Sequence, residues 1–248
     1  MILSQKYKFV FIKGMKVAGT SAEMALATLC GTDDIVTPIS PVDERERIAA
    51  GGHCQNYAAD RAGEADYLKR LMAAQPQELA AIAQPPLVYY NHMPLIEVMQ
   101  KYARPLTGFR IVCIERSPYA KVISWANMRL TYGNYRVGGE MRADPEALKA
   151  YIDRGFETGA VRDCRNIDRY RGPDGEILAQ PMRYASLQAD FDAFVRGLGI
   201  AAVPPLPHAK KGLLSDTLSP RDVLRPDQID RIDTLFADEF DAFGFPRT

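Results

Sequence analysis

The chain has 248 residues, of which 31 are basic and 31 are acidic, and its formal net charge is zero. This balance argues against a generally basic surface for nucleic acid or an anionic membrane, so any anion site must be local. With 47% hydrophobic residues the chain can bury a sheet, and we expect one domain over residues 1–248.

Cysteine usage and hydropathy indicate a cytoplasmic protein. No C-x-x-C pair occurs, and the four cysteines are widely spaced, so neither a disulfide framework nor a zinc cluster is indicated. The apolar run at the start of the chain is short and broken by lysines, and no stretch is long enough to span a bilayer. We expect no signal peptide and no transmembrane segment, and the sequence does not indicate an oligomeric state.

The amino-terminal segment predicts a strand, a glycine-containing loop and a helix in direct succession. Residues 8–12 (KFVFI) are β-rich, and the helix is expected to begin at Thr20 or Ser21, either of which can cap it, and to end near Gly31. Free backbone N–H groups converge at such a helix start, and the helix dipole favours an anion there. This segment is therefore the first candidate anion site.

The loop in this segment departs from the Walker A motif in the position of its lysine. Gly14 and Gly19 have the Walker A separation, but Thr20 stands where an ATPase has its lysine, and Lys16 lies inside the loop. We therefore expect a phosphorylated nucleotide to bind without the lysine and magnesium arrangement of kinases and ATPases.

The middle of the chain predicts helices and two more strands. Pro76 divides the alanine-rich residues 62–83 into two helices, because proline interrupts a helix. Residues 87–90 (LVYY) predict a short buried strand, and Pro94 is well placed to begin the next helix. Residues 109–115 (FRIVCIE) are the clearest central strand, because the run is short, largely apolar and rich in β-branched residues.

Helices and one more strand are predicted in the remaining half of the chain. Helices are expected over residues 119–130, 145–154, 187–198 and 226–240, a strand over 177–184, and a loop over 132–139. Strands that alternate with helices predict a parallel sheet between helical layers. The expected fold class is α/β, a P-loop-type three-layer sandwich with a central, mostly parallel sheet flanked by helices.

Polar residues follow three predicted strands, at the Lys16 loop, His92 and Arg116. In a parallel sheet, ligands bind beyond the C-terminal ends of the strands. Ser124 lies eight positions after Arg116, which is about two helical turns, so it falls on roughly the same helix face. A guanidinium and a hydroxyl that converge in this way suit a phosphate dianion.

Two motifs of the chain resemble those of sulfotransferases. Residues 15–21 (MKVAGTS) are similar to the family's 5′-phosphosulfate-binding loop, whose common form is PKTAGTS. The Arg116-Ser117-Pro118 turn with Ser124 is similar to the family's 3′-phosphate site. The resemblance covers nearly the whole length and points to small bacterial members of the carbohydrate sulfotransferase-like branch.

The chain differs from the family's loop at Lys13, Gly14, Met15 and Val17, where histidine, isoleucine, proline and threonine are commoner. We expect Gly14 and the missing proline to make the loop entrance, residues 13–15, more flexible.

The resemblance implies the donor 3′-phosphoadenosine 5′-phosphosulfate (PAPS) and no metal. Lys16 would hold the 5′-phosphate and the bridging oxygen, and Arg116 with Ser124 would bind the 3′-phosphate. The other implied donor-binding residues supply backbone amides, hydroxyls and a late basic loop: Ala18, Gly19, Thr20, Ser21, Lys210 and Lys211.

The implied acceptor is a hydroxyl of a carbohydrate or glycolipid, with His92 as the general base. The pKa of histidine lies near neutrality, and His92 matches the histidine that glycan sulfotransferases place before the acceptor hydroxyl. Glu115 is the second candidate base, although its place beside Arg116 also suits a structural ion pair. The loops over residues 43–60 and 132–139 are expected to determine the acceptor.

Two other functions stay open at this point. A P-loop nucleotide kinase or nucleotidase should have a lysine before the loop hydroxyl, and Thr20 in that place counts against it. The other alternative is a nucleotide-binding module that has no transfer chemistry.

Overall fold

A computed structural model describes residues 1–135, 143–207 and 219–248 of the chain. The strands within these residues are β1 (Ile2–Ser4), β2 (Phe9–Ile12), β3 (Ile35–Val36), β4 (Arg110–Glu115) and β5 (Gln180–Arg183). They form one sheet in the order β3-β1-β2-β4-β5. β2, β4 and β5 are parallel, whereas β1 pairs antiparallel with both β2 and β3. The α/β class is therefore confirmed, with a mixed sheet whose parallel pairs involve β4.

Helices occupy most connections between the strands and the C-terminal part of the chain. They are α1 (Gly19–Ala27), α2 (Pro41–Ala49), α3 (Arg61–Ala73), α4 (Leu95–Lys101), α5 (Pro118–Tyr135), α6 (Pro145–Glu157), α7 (Leu187–Gly197), α8 (Pro220–Val223), α9 (Pro226–Leu235) and α10 (Ala237–Phe243). Short 3₁₀ turns occur at Leu79–Ala81, Ala160–Cys164, Ile167–Tyr170 and Tyr184–Ser186. Local chemistry explains several starts: the Asp60 and Asp144 carboxylates accept hydrogen bonds from first-turn amides of α3 and α6.

Apolar side chains of the central strands pack on both faces of the sheet. All four residues of β2 are buried, and they alternate between two clusters because successive strand side chains point to opposite faces. Val10 and Ile12 pack with residues of α3, α4 and the Ile167–Tyr170 turn. Phe9 and Phe11 pack with residues of α1 and α7. Helices therefore cover both faces of the strand that leads into the candidate loop.

The predicted strand over residues 87–90 is wrong. Leu87 is 38% exposed and makes an isolated bridge to Ala58, and the Val88 and Tyr89 amides both donate to the carbonyl oxygen of Tyr57. The apolar run thus packs on a loop instead of joining the sheet. Consequently, His92 does not follow a sheet strand.

Several other predicted elements differ in their number or in where they end. The short strand β1 was not predicted, and the C-terminal helix predicted over 226–240 is two helices, α9 and α10, that meet at Phe236. The second half of the helical region 62–83 is only the Leu79–Ala81 turn. α5 continues through Tyr135 where a loop was expected, and residues 136–139 of that loop lie outside the described residues. In the part of the chain that the structure describes, no helix is long and apolar enough to cross a membrane.

Candidate functional site

Three strands end at one edge of the sheet, and predicted site residues follow two of them. Ile12 of β2 pairs with Cys113 of β4, and Glu115 at the end of β4 pairs with Arg183 of β5. Because these pairs are parallel, the Lys16 loop, the Arg116 turn and Tyr184 all leave the sheet at this carboxyl edge. The sequence prediction of a shared edge for the loop and Arg116 is confirmed.

The loop between β2 and α1 approaches the helix through two left-handed residues. Lys16 has a φ of 62° and Ala18 a φ of 61°, which is uncommon for residues other than glycine. Ala18 is the N-cap of α1, and within the described residues no side chain caps this helix start. Thr20 and Ser21 therefore lie in the first turn, and the prediction that one of them caps the helix is wrong. The backbone N–H groups of Gly19 and Thr20, at the start of the helix, are left available to donate to an anion.

The loop entrance has partners that the sequence did not suggest. The Met15 N–H donates to Asn166 Oδ1 at 2.7 Å, and Asn166 Nδ2 donates to the Met15 carbonyl oxygen at 3.1 Å. A Cβ on Gly14 would lie 2.3 Å from the Tyr170 hydroxyl oxygen, so the glycine lets the loop pack against that side chain. The entrance that we expected to be more flexible is thus fixed by hydrogen bonds to the Asn166 side chain and by close packing on Tyr170.

Lys13 makes a buried ion pair beneath the loop. Its Nζ lies 2.7 Å from Glu23 Oε2, and a Cβ on Gly19 would lie 2.6 Å from Lys13 Cγ, so Gly19 leaves room for the lysine. Burial by itself would raise the pKa of Glu23. The charge of Lys13, with those of the chain's amino group and Arg47, outweighs burial and lowers that pKa to about 2.

His92 meets the loop at the carbonyl of Lys13. His92 Nδ1 lies 3.1 Å from that oxygen, and because a carbonyl can only accept, Nδ1 carries the proton and Nε2 keeps its lone pair. Burial, and then the charge of Lys13, lower the pKa of His92 to about 3. His92 has a φ of 62° in a turn, so it is held beside the loop without a strand before it. The imidazole is neutral at physiological pH.

The side chain of Lys16 reaches α5, the helix that starts two residues after Arg116. Lys16 Nζ lies 3.1 Å from Met128 Sδ, and Ser124 is one helical turn before Met128 on the same face of α5. Ser124 is buried, and the Arg116 guanidinium carbon lies 4.2 Å from the centre of the Tyr184 ring. Lys16, Ser124 and Arg116 therefore all border α5, from the turn before its start to Met128.

Glu115 lies in a buried polar cluster. Its Oε1 accepts from Asn166 Nδ2 and from the Tyr170 hydroxyl, both at 2.8 Å, and Lys121 Nζ lies 2.9 Å from its Oε2. Lys121 also pairs with Glu239, and the side chains of all three charged residues are fully buried. Of the two roles considered for Glu115, this arrangement supports the structural ion pair.

The two lysines of the predicted late basic loop cannot be placed relative to this site. Lys210 and Lys211 lie outside the described residues. Sequence reasoning missed Asn166, Lys121, Tyr170 and Glu239, because none of them belongs to a motif.

A cleft of about 370 Å³ lined by residues of α6 and α9, including Phe156 and Arg231, contains none of the predicted site residues.

Comparisons of the chain with protein-family models, with curated proteins and with solved structures find no match. The resemblance to sulfotransferases therefore rests on the two motifs, and the case for a site rests on the geometry described above.

Proposed function

We propose that the chain is a PAPS-dependent sulfotransferase that transfers the sulfuryl group to a hydroxyl of a carbohydrate or glycolipid. One observation carries the proposal: the parallel register of β2 and β4 brings the Lys16 loop and the Arg116 turn to one edge of the sheet. Under this proposal the fold is a single P-loop-type three-layer sandwich, and the protein acts in the cytoplasm.

The donor would bind along α5, between the Arg116 turn and the Lys16 loop. Lys16 and the backbone amides at the start of α1 suit the 5′-phosphosulfate, because a cation and a helix N-terminus both favour an anion. Arg116 and Ser124 suit the 3′-phosphate, which distinguishes PAPS from ATP-like nucleotides. Thr20 and Ser21 would add hydroxyl groups, and Lys210 and Lys211 would close over the nucleotide.

The reaction forms a bond from the acceptor oxygen to sulfur and breaks the bond from sulfur to the bridging phosphate oxygen. The leaving group is adenosine 3′,5′-bisphosphate, and Lys16 would stabilise the negative charge that develops on its 5′-phosphate. The acceptor proton would pass to Nε2 of His92. Because the sulfuryl group carries less charge than a phosphoryl group, a lysine can replace the metal ion.

A non-catalytic nucleotide-binding module is the second candidate, and one observation favours it. The pKa of His92, lowered to about 3 by burial and by Lys13, makes the imidazole a weak base. A bound anionic donor would raise this pKa, because a nearby negative charge stabilises the imidazolium. The two candidates therefore differ in whether His92 accepts a proton when the donor is present.

Calorimetry tests the donor site. We expect adenosine 3′,5′-bisphosphate to bind more tightly than ATP with magnesium, and Lys16→Met to weaken bisphosphate binding by about tenfold or more, or about 1.4 kcal/mol. Lys6→Met, at an exposed lysine before β2, is the matched control and should bind as wild type does. Tighter binding of ATP with magnesium would overturn the sulfotransferase proposal in favour of a kinase or nucleotidase.

Transfer of labelled sulfate from PAPS to a glycan panel tests the chemistry. We expect transfer by wild type and by His53→Ala, whose histidine is exposed, and a loss of about 100-fold or more in His92→Ala. Undiminished transfer by His92→Ala would show that another group is the base. Donor binding without transfer to any glycan would favour the binding module.

A further inference from the structure

Asn166 connects the two cationic elements of the candidate site through one side chain. Its carboxamide bonds both to the backbone N–H and to the carbonyl oxygen of Met15, and its Nδ2 also donates to Glu115 Oε1 at 2.8 Å. Met15 directly precedes Lys16, and Glu115 directly precedes Arg116. The residues next to both proposed phosphate-binding side chains are thus held by the same buried amide.

Asn166 is itself fixed by its surroundings. The Ile167 N–H donates to Glu239 Oε1 at 3.0 Å, and the Asn166 N–H donates to the same oxygen. Glu239 is bound in turn by Lys121, which also binds Glu115. Because every member of this cluster is buried and hydrogen bonded, the amide has little freedom to shift.

We infer that Asn166 is a positioning residue that sets the spacing between the Lys16 loop and the Arg116 turn. This spacing gives the site its preference for a nucleotide with phosphates on both the 5′ and the 3′ positions over one with a single phosphate. A ligand of fixed length gains from its second anchor only when both anchors are already held at the matching distance. The ligand named here rests on the proposed function, whereas the bridge between Met15 and Glu115 does not.

The test compares Asn166→Ala with Gln228→Ala. Gln228 is a fully buried carboxamide in α9 that also makes three hydrogen bonds, to the Lys149 carbonyl at 2.9 Å, to Asp153 Oδ1 at 2.9 Å and from the Arg225 N–H at 3.2 Å. Both substitutions remove a buried amide of the same chemistry, but these hydrogen bonds of the Gln228 side chain join α9 to α6 and to Arg225, not to the loop or the Arg116 turn. The pair separates positioning from a general loss of stability.

Two quantities are measured in each protein. The first is the ratio of the Kd of adenosine 5′-monophosphate to that of adenosine 3′,5′-bisphosphate. The second is the hydrogen–deuterium exchange of residues 13–18 without ligand. We expect Asn166→Ala to lower the ratio by about tenfold and to speed exchange in the loop, and Gln228→Ala to change neither. Should Asn166→Ala fail to fold, Asn166→Ser, which supplies one hydroxyl for hydrogen bonding in place of the carboxamide, replaces it.

The possible outcomes separate the two proposals. An unchanged Kd ratio in Asn166→Ala overturns the inference even if the loop exchanges faster, because the bridge would then not set the preference. Equal changes in both variants also overturn it. If wild type binds neither nucleotide, the proposed function fails, and exchange alone decides the bridge: faster exchange confined to Asn166→Ala supports it, and unchanged exchange overturns it.

Discussion

Two buried charged clusters hold the loop after β2, and they differ in charge balance. In the Glu23 cluster, Glu23 pairs with both Lys13 and the chain's amino group, so one carboxylate meets two cations. In the Glu115 cluster, by contrast, Glu115 and Glu239 share Lys121, with Asn166 and Tyr170 as neutral donors. Lys13 belongs to the loop entrance itself, whereas the Glu115 cluster reaches the entrance through Asn166.

The difference in charge balance appears in the proton affinities. The charges of Lys13, the chain's amino group and Arg47 together outweigh burial and lower the pKa of Glu23, whereas burial and the charge of Glu115 together raise the pKa of Glu239. A carboxylate pair with one cation needs neutral donors to stabilise the remaining charge. Those donors come from distant segments, and this is why the Glu115 cluster ties the loop to β4, α5 and α10.

The largest expected loss of stability comes from replacing Lys121 of the Glu115 cluster. Lys121→Met leaves two buried carboxylates without their shared cation, and we expect it to lower the free energy of unfolding by about 3–5 kcal/mol. Urea denaturation measures this change. Lys149→Met removes a lysine that pairs with the exposed Glu146, and it should cost less than about 1 kcal/mol.

A double variant sharpens this prediction. Glu239→Gln in the Lys121→Met background removes one of the two carboxylate charges, so it should restore part of the lost stability. If Lys121→Met is no more destabilising than Lys149→Met, the cluster does not depend on its single ammonium and the comparison drawn here is wrong.

A smaller effect is expected where the loop entrance packs on the same cluster. A Cβ on Gly14 would lie 2.3 Å from the Tyr170 hydroxyl oxygen and 2.8 Å from Asn166 Nδ2, so Gly14→Ala should cost about 1–3 kcal/mol in thermal or urea unfolding. At Gly31, a Cβ would come no nearer than 3.4 Å to the Lys6 side chain, and Gly31→Ala is the control.

Tyr170→Phe removes the oxygen that the new Cβ meets first, so Gly14→Ala should cost less in a Tyr170→Phe background than in wild type. Equal stabilities of Gly14→Ala and Gly31→Ala would show that the entrance can shift freely, as the sequence alone suggested.

The parts of the fold that were predictable are those with strong local patterns. β2 and β4 are short, apolar and β-branched, and α5 begins at Pro118 after a clear turn, so each was predicted to within a few residues. The run over residues 87–90 has the same local character, yet its Val88 and Tyr89 N–H groups donate to the Tyr57 carbonyl oxygen and not to a neighbouring strand. Tertiary context decided between a strand and a loop there, and periodicity cannot supply that context.

The placement of the candidate residues was predictable where it depends on local motifs and not where it depends on contacts between distant segments. Lys16 and Arg116 follow β2 and β4, which local patterns predict, whereas the strand predicted before His92 is absent. Asn166 lies 151 residues from Met15, and a lone asparagine carries no periodic or spacing pattern. Similarly, nothing in the sequence around Lys121 distinguishes it from an exposed helix lysine, and only the structure shows that it is fully buried.

The last prediction concerns the Glu23 side of the loop, where burial and then the charge of Lys13 lower the pKa of His92 from 6.5 to about 3. The unfolded chain then binds a proton at pH values where folded His92 does not, so stability falls as the pH drops from about 6.5 towards 3. The slope should approach about 1.4 kcal/mol per pH unit. His92→Asn, which tolerates the left-handed backbone and can donate to the Lys13 carbonyl, should lose this component, whereas His53→Asn should keep it. Urea unfolding at pH 7, 6 and 5 measures the difference, and parallel losses in wild type and His92→Asn would mean that the folded protein does not hold the imidazole neutral.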